Sequence, residues 1–472
     1  MGGIKAIGAY VPRYRLSRHL LGETWGIGRG QGERAVAGHD EDTTTLAVEA
    51  ALDTLPGATR ADVDAVFFAS TTATYREKMS AAVVATAADL RTETRTADFG
   101  GSLRAGTAAL LAALDAVNAG SSRQILVVAA DTRRGYPRSD YESTLGDGAA
   151  AVLVCGNAPA VEVSAHATCT REFLDVWRRD RDAFVRSSEE RFALEHGYQE
   201  AISFAIKAVV QKSGLAKSDI SRAAIYAPDG RTHAGIVRSL GLGAQAQVQD
   251  PLFSTVGNTG ASHALLMLVG ALEQAQPGER ILFASYGDGA DAFILEVKDP
   301  PLKGRALSGA LRSRRSLPSY GRFLALTNTL EINPEPPLRV EPFAASTIEW
   351  REQRSSLRFH AGKCNNCGTV AHPIQRICYN CRATDNSSEV RLSDKQGTIF
   401  AITQDHLVGG IEPPTMNCVV ETDEHACRVF SIVTDADPKE VAVGTRVEFT
   451  FRKLHEGGGF HNYYWKVRPV RA

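Results

Sequence analysis

A chain of 472 residues with 43% hydrophobic and 23% charged side chains is long enough for about two to four domains with sizeable buried cores. Its 53 basic and 54 acidic residues leave a net charge of −1, so no overall field draws it to nucleic acid or anionic lipid, and neither is expected as a partner. The opening MGGIKAIGAYVPRYRL has no apolar signal-peptide stretch and no run reaches membrane-spanning length, so a cytoplasmic location is expected.

Taken in order, Asp40–Leu55 (DEDTTTLAVEAALDTL) reads as a helix capped by acidic residues and threonines, and Val63–Ser70 (VDAVFFAS) as a buried strand. From Asp98 to Gly120 a glycine-rich turn runs into a helix with Leu110, Leu111, Leu114 and Val117 at helical spacing. Arg171–Leu194 is charged and aromatic, as in an excursion over the surface. A helix over Tyr198–Lys212 and a short strand over Ala223–Ala227 follow.

The strongest organisational signal is a repeat. GTAALLAALDAVNAGSSRQILVVAAD, continued after an insertion by GDGAAAVLVC, is answered by ASHALLMLVGALEQAQPGERILFASY and GDGADAFILEV. Each copy is a small-residue helix, a buried strand (Ile125–Ala130; Ile281–Ser285), then Gly-Asp-Gly and another strand. Two copies of one such unit predict a duplicated α/β fold about a pseudo-twofold axis.

Beyond Val297 the composition changes. Lys303–Arg322 is basic, and Glu331–Pro342 is proline-rich and acidic, which marks a linker. Five alternating runs, GTIFAITQDHLV, MNCVVETD, CRVFSIVTD, TRVEFTFRKL and NYYWKVRPV, predict a small OB-type β-barrel. Ahead of them stand Cys364, Cys367, Cys378 and Cys381 in C-x2-C-x10-C-x2-C spacing. Two thiolate pairs on knuckle turns suit a closed tetrahedral Zn²⁺ site of structural type. His372, between the pairs, reads as a solvated loop residue. Cys155, Cys169, Cys418 and Cys427 read as buried structural thiols, a distribution that suits a reducing compartment better than a disulfide framework.

The stretches HDEDTTTLAVEAA, GGSLRAGTAALLAA, DVWRRDRDAFVRSSEERF, IYAPDGRTHAGIVRSLGL and GNTGASHALL resemble the thiolase superfamily, in particular its 3-hydroxy-3-methylglutaryl-CoA synthase branch. The chain from about residue 340 resembles the DUF35 module, a rubredoxin-like zinc ribbon joined to an OB-fold. The resemblance implies a five-layer αβαβα thiolase fold, a homodimer, and a coenzyme A thioester as ligand. It divides the chain into thiolase halves at 1–165 and 166–330, a linker with a helix at 331–360, the ribbon at 361–384 and the barrel at 385–472.

The synthases resembled use a cysteine nucleophile, a histidine, a glutamate and an asparagine. At the corresponding places stand Leu103, Tyr226, Thr71 and Asn258, so only the asparagine is retained. Leucine forms no acyl-enzyme. Ser102 is the adjacent hydroxyl that could substitute, although capping a helix start is its simpler role.

The resemblance, taken with this substitution pattern, implies an aldol or retro-aldol lyase acting on a β-hydroxyacyl-CoA, as in thiolase-fold proteins that lack the cysteine and use a tyrosine. Tyr226 would be its base or acid, and Asn258 with the amides of Gly101 and Leu103 would hold the enolate oxygen. As a base at neutral pH Tyr226 would need its pKa lowered by about three units. His233 and His263 are candidate proton relays, and Asp229, in Pro-Asp-Gly, suits a turn. The basic residues at 303, 305, 312, 314, 315 and 322, Arg305 and Arg312 among them, are candidates for the phosphates of coenzyme A. Synthase-like acyl transfer and a non-catalytic CoA-binding scaffold are the alternatives.

Overall fold

Runs of alanine, valine and leucine too long to alternate form strands buried on both faces, as at Gln124–Thr132 and Asp147–Cys155. The computed structural model describes residues 2–28, 30–56, 58–242, 248–330, 346–407 and 412–471. They fall into two units. The first gathers the chain up to Ala37, Asp42–Ala85 and Leu90–Phe323, and the second gathers Gly38–Glu41, Thr86–Asp89 and the chain from Leu324 onward.

In the first unit the repeat appears as strand order. Gly3–Tyr10 pairs antiparallel with Asp147–Cys155, which pairs antiparallel with Gln124–Thr132; Val63–Ala69 and Arg95–Phe99 then add in parallel. Val161–Thr170 starts the same series with Gly289–Val297, Arg280–Tyr286 and Arg222–Ile225, and a parallel bridge from Ala223 to Val248 stands where the fifth strand would be. The two half-sheets join through the Gly3–Glu162 and Ile4–Val161 pairs.

Helices complete the layers. Thr43–Thr54, opened by a capping box at Asp42, packs on the outer face of the first half-sheet, and Glu200–Ser213 packs on that of the second. Between the half-sheets lie Ala105–Asn118 and His263–Glu273. The latter is buried at every residue from His263 to Leu272, as a helix with no polar face must be. Gly106 permits this close layer, because a Cβ there would stand 2.6 Å from the Ala261 carbonyl oxygen. This is the expected αβαβα arrangement.

The second unit holds a three-stranded ribbon, Val370–Ala371 and Ser387–Arg391 flanking His360–Cys364. All five expected barrel strands are present, as Gln396–Asp405, Thr415–Thr422, Arg428–Ile432, Arg446–Gly457 and Phe460–Pro469. Their sheet closes through a Val433–Val467 bridge and a 2.8 Å bond from Thr434 N–H to the Val467 carbonyl, which removes the open edge. Phe359, Phe451 and Trp465 are fully buried in this unit, with Phe359 stacked on Trp465 at 5.5 Å.

Within the span expected as a linker, a helix runs over Ser346–Glu352; residues 331–345 of that span lie outside the described residues. Among the described residues no helix is long and apolar enough to cross a membrane.

Candidate active site and zinc centre

A cavity of about 280 Å³ opens in the first unit where several strand and helix ends converge. Its wall takes Leu103 from the turn before helix Ala105–Asn118, Tyr141 from the short helix Asp140–Thr144, Tyr226 just past strand Arg222–Ile225, and Tyr286 at the end of Arg280–Tyr286. The excursion after Arg171 contributes Asp175, Ser187 and Glu190. That segment is therefore part of the wall and not merely surface. It is held by a short hairpin, Val176–Trp177 with Arg186–Ser187, and leads into a π-helical stretch, Ala193–Gln199, that places Tyr198 in the wall.

The turn carrying Leu103 is clamped to the second Gly-Asp-Gly. Arg104 donates from Nε to the Gly287 carbonyl at 3.0 Å and pairs through Nη1 with buried Asp291 at 3.0 Å. Thr107 and Thr168 also donate to Asp291, at 2.6 and 3.0 Å. A Cβ at Gly287 would fall 2.6 Å from the Arg104 nitrogen and 3.0 Å from the Leu103 nitrogen, so only glycine lets the two turns close. The first Gly-Asp-Gly does different work: Asp147 is buried and accepts from the backbone N–H groups of Ala37 and Arg133 at 2.8 and 2.9 Å.

Tyr226 is 2% exposed and its hydroxyl accepts from Asn258 Nδ2 at 3.0 Å. The amide orientation follows from its neighbours. Asn258 Oδ1 accepts from Gly260 N–H and from Arg133, at 3.0 and 3.3 Å, while Nδ2 also reaches the Pro228 carbonyl. The proton of Tyr226 thus remains available to a ligand. Burial pushes its pKa up to about 12, with Arg133 and the Asn258 bond opposing. The lowering that a tyrosinate base requires does not occur.

Beside it Asp175 accepts from the Tyr286 hydroxyl at 2.7 Å. Desolvation raises the Asp175 carboxyl above the usual carboxylate range, and burial with the neighbouring Asp175 charge raises Tyr286 further. Tyr198 donates to the Tyr226 carbonyl at 2.7 Å and meets Tyr286 edge to face.

Several expected residues stand elsewhere. Asn258 is buried behind Tyr226 and is not in the cavity wall, so it positions that tyrosine. The hydroxyl of Ser102 accepts from Arg104 N–H at 3.2 Å, and neither Ser102 nor Gly101 lines the cavity. His263 has both ring nitrogens engaged, Nδ1 by Thr259 N–H at 3.3 Å and Nε2 at the Pro251 carbonyl at 3.0 Å. Burial drops its pKa to about 3. A neutral, doubly bonded core ring offers no proton relay.

His233 is buried in helix Gly230–Leu240, its Nε2 without a partner among the described residues, and does not line the cavity. Asp229 caps that helix, accepting from Thr232 N–H and Oγ1 at 2.8 and 2.7 Å. Arg305 and Arg312, expected at the cofactor phosphates, are also absent from the wall; the Arg305 amide binds Asp53 at 2.7 Å at the start of helix Ala306–Arg312.

Thr71 donates to Asp131, a fully buried carboxylate that also accepts from Ser70, Thr72 and Ala261 N–H. Asp131, Arg133, Asp175 and Tyr286 were not singled out from the sequence. Asp175 opens one of the family-like stretches and Tyr286 precedes a Gly-Asp-Gly, but neither position announces a partner 111 residues away.

In the second unit the four cysteines converge. Cys364 and Cys381 sulfurs lie 3.6 Å apart, as do those of Cys367 and Cys378, and all four fall within 4.8 Å of one another. Zn–S bonds of about 2.3 Å in a tetrahedron require sulfurs about 3.8 Å apart, so the cluster fits zinc. His372 is not a ligand in this cluster and is not solvated: it is packed against Phe359, with Nε2 3.0 Å from the Ser355 carbonyl oxygen. Cys155, Cys418 and Cys427 are buried and Cys169 partly so; desolvation raises the Cys418 and Cys427 thiols to about 12 and 11.

No family model matches the chain. It is 33% identical over 310 residues to the hydroxymethylglutaryl-CoA synthase of Methanothermobacter thermautotrophicus, covering 63% of this chain and 89% of that one. To the hydroxymethylglutaryl-CoA synthase of Aeropyrum pernix it is 33% identical over 345 residues, 70% and 95% of the two chains. Among solved structures, a hydroxymethylglutaryl-CoA synthase complexed with CoA superimposes with a TM-score of 0.63 at 19% identity over 73% of this chain and 95% of that one. The 3-oxoacyl-[acyl-carrier-protein] synthase III of Aquifex aeolicus gives 0.55 at 20% over 62% and 100%. On this relationship the chain belongs to the hydroxymethylglutaryl-CoA synthase family.

Proposed function

We propose that the chain is a condensing enzyme that forms a carbon–carbon bond at a CoA thioester by an aldol-type addition, without an acyl-enzyme. The observation that carries this is the cavity wall itself: it contains Leu103, which the family resemblance sets at the nucleophile's place, and the protonated hydroxyl of Tyr226, held there by Asn258 at 3.0 Å. Asp175, raised by burial and held by Tyr286, takes the proton from the thioester α-carbon. The enolate carbon attacks a ketone or aldehyde carbonyl, and Tyr226 donates its proton to the alkoxide that forms. The product is a β-hydroxyacyl-CoA, and the net proton moves from carbon to oxygen. The step leaves Asp175 protonated and Tyr226 as tyrosinate, and as the product leaves, Asp175 gives up its proton and Tyr226 regains one from solvent; retro-aldol cleavage is the same sequence run backward. The synthase relatives support condensation over cleavage.

Family membership also supports a second reading, synthase-like acyl transfer with Ser102 as nucleophile, against which stands its hydroxyl turned to the Arg104 amide. Cys364, Cys367, Cys378 and Cys381 would hold a structural zinc. The two thiolase halves, ribbon and barrel, and a homodimer, are part of the same proposal.

In D2O the protein should exchange the α-protons of an acyl-CoA, and with a carbonyl acceptor yield β-hydroxyacyl-CoA. Tyr226→Phe should keep the exchange and lose about 10²–10⁴-fold in condensation; Asp175→Asn should lose both. An intact-mass acyl adduct on Ser102 would replace this reading with the second.

A further inference from the structure

We infer that the cavity selects an uncharged acyl group and rejects one ending in a second carboxylate, which rests on the thioester reading above. Four carboxylates line it, those of Asp140, Asp175, Asp229 and Glu190, and among the described lining residues there is no lysine, arginine or histidine. The hydrogen bonds that Asp175 accepts from Tyr286 and Asp229 from Thr232 come from neutral donors and leave the negative charge in place. The guanidinium of Arg133 is buried and bonded to Asn258 Oδ1 at 3.3 Å; its charge is felt at Tyr226 and Tyr141, but Arg133 is not itself in the wall and is set against four carboxylates that are. A ligand carboxylate would lose water and meet like charge, with no cationic side chain among the described lining residues to contact. Tyr141, Tyr198, Tyr226 and Tyr286 instead offer ring faces to an apolar or hydroxylated chain.

At about 280 Å³ the space suits an acyl group and the thioester end of its carrier, leaving the charged nucleotide outside. The family's name compound, 3-hydroxy-3-methylglutaryl-CoA, carries the disfavoured feature: its acyl chain ends in a free carboxylate. The structure therefore assigns this chain to a neutral relative of that product.

The test is calorimetric titration of the full chain with 3-hydroxy-3-methylglutaryl-CoA, its terminal primary amide and 3-hydroxy-3-methylbutyryl-CoA. The amide matches the carboxylate in size, so the pair isolates charge. The two neutral thioesters should bind at least about tenfold more tightly than the carboxylate. Glu190→Gln, at an exposed rim position, should narrow that gap, and Asp175→Asn with Glu190→Gln should narrow it further. Equal or tighter binding of the carboxylate than of the amide overturns the inference, as does a gap unchanged in both variants. Failure of all three thioesters to bind overturns the thioester reading itself. Binding of the neutral pair without turnover would leave this selectivity standing and remove only the proposed chemistry.

Discussion

Tyr226 shows how burial fixes the protonation state of a side chain in the cavity wall. The buried phenol, pushed to about 12, stays protonated across the physiological range. It can give a proton to an alkoxide but not readily take one. The same shift has a stability signature. Between about pH 10 and pH 12 the unfolded chain releases this proton and the folded one keeps it, so stability falls as pH rises through that window, by on the order of 3 kcal/mol. Tyr226→Phe should flatten the alkaline limb of a denaturant-unfolding profile in that window; an unchanged slope would place the phenol in a wetter setting. The neighbouring motif residues pointed to Tyr226 and Leu103, which both line the cavity. Their protonation and company were not legible in the sequence, because desolvation depends on what packs over them, and Asp175 and Tyr286 arrive from remote segments.

The two Gly-Asp-Gly elements look alike as letters and act differently as structure. Asp147 is a buried anchor for two backbone amides, whereas the second turn presses on the Leu103 turn through Gly287 and the Arg104–Asp291 pair. Gly287→Ala should therefore push the Leu103 amide out of place. We expect at least about a tenfold loss of condensation rate, since a 1 Å displacement can cost about a hundredfold, with a melting temperature that changes far less in proportion. Wild-type turnover in Gly287→Ala would show that the turns give way without consequence. The repeat was readable because each copy must bury the same helix and strands; the contact between turns was not, since residues 104 and 287 meet only once the half-sheets are folded. The 171–194 excursion illustrates the same limit. Its charge resembles a solvated loop, yet it supplies Asp175 and Glu190 to the wall.

At the scale of the molecule, the chain divides into a large unit with a sheet-and-helix core and a smaller one stapled by a cysteine cluster and a closed barrel. Structural zinc contributes about 10–16 kcal/mol in isolated fingers. Strong chelation at neutral pH should release one zinc per chain, measured by mass spectrometry, and lower a calorimetric transition belonging to the smaller unit while the larger unit's transition moves little. A single undisturbed transition after metal loss would remove the structural role assigned to the cluster. What the sequence by itself determined is whatever is written locally or periodically: the duplicated α/β fold, the four cysteines at ligand spacing and the five alternating strands. Only the tertiary structure decided which groups share the cavity, that the Tyr226 hydroxyl is buried and bonded to Asn258, that His263 is a core ring, and that Arg305 and Arg312 stand away from the wall. The reason is physical: spacing along the chain sets secondary structure and chelation, whereas charge state and reactivity are set by burial and by partners that only the fold brings together.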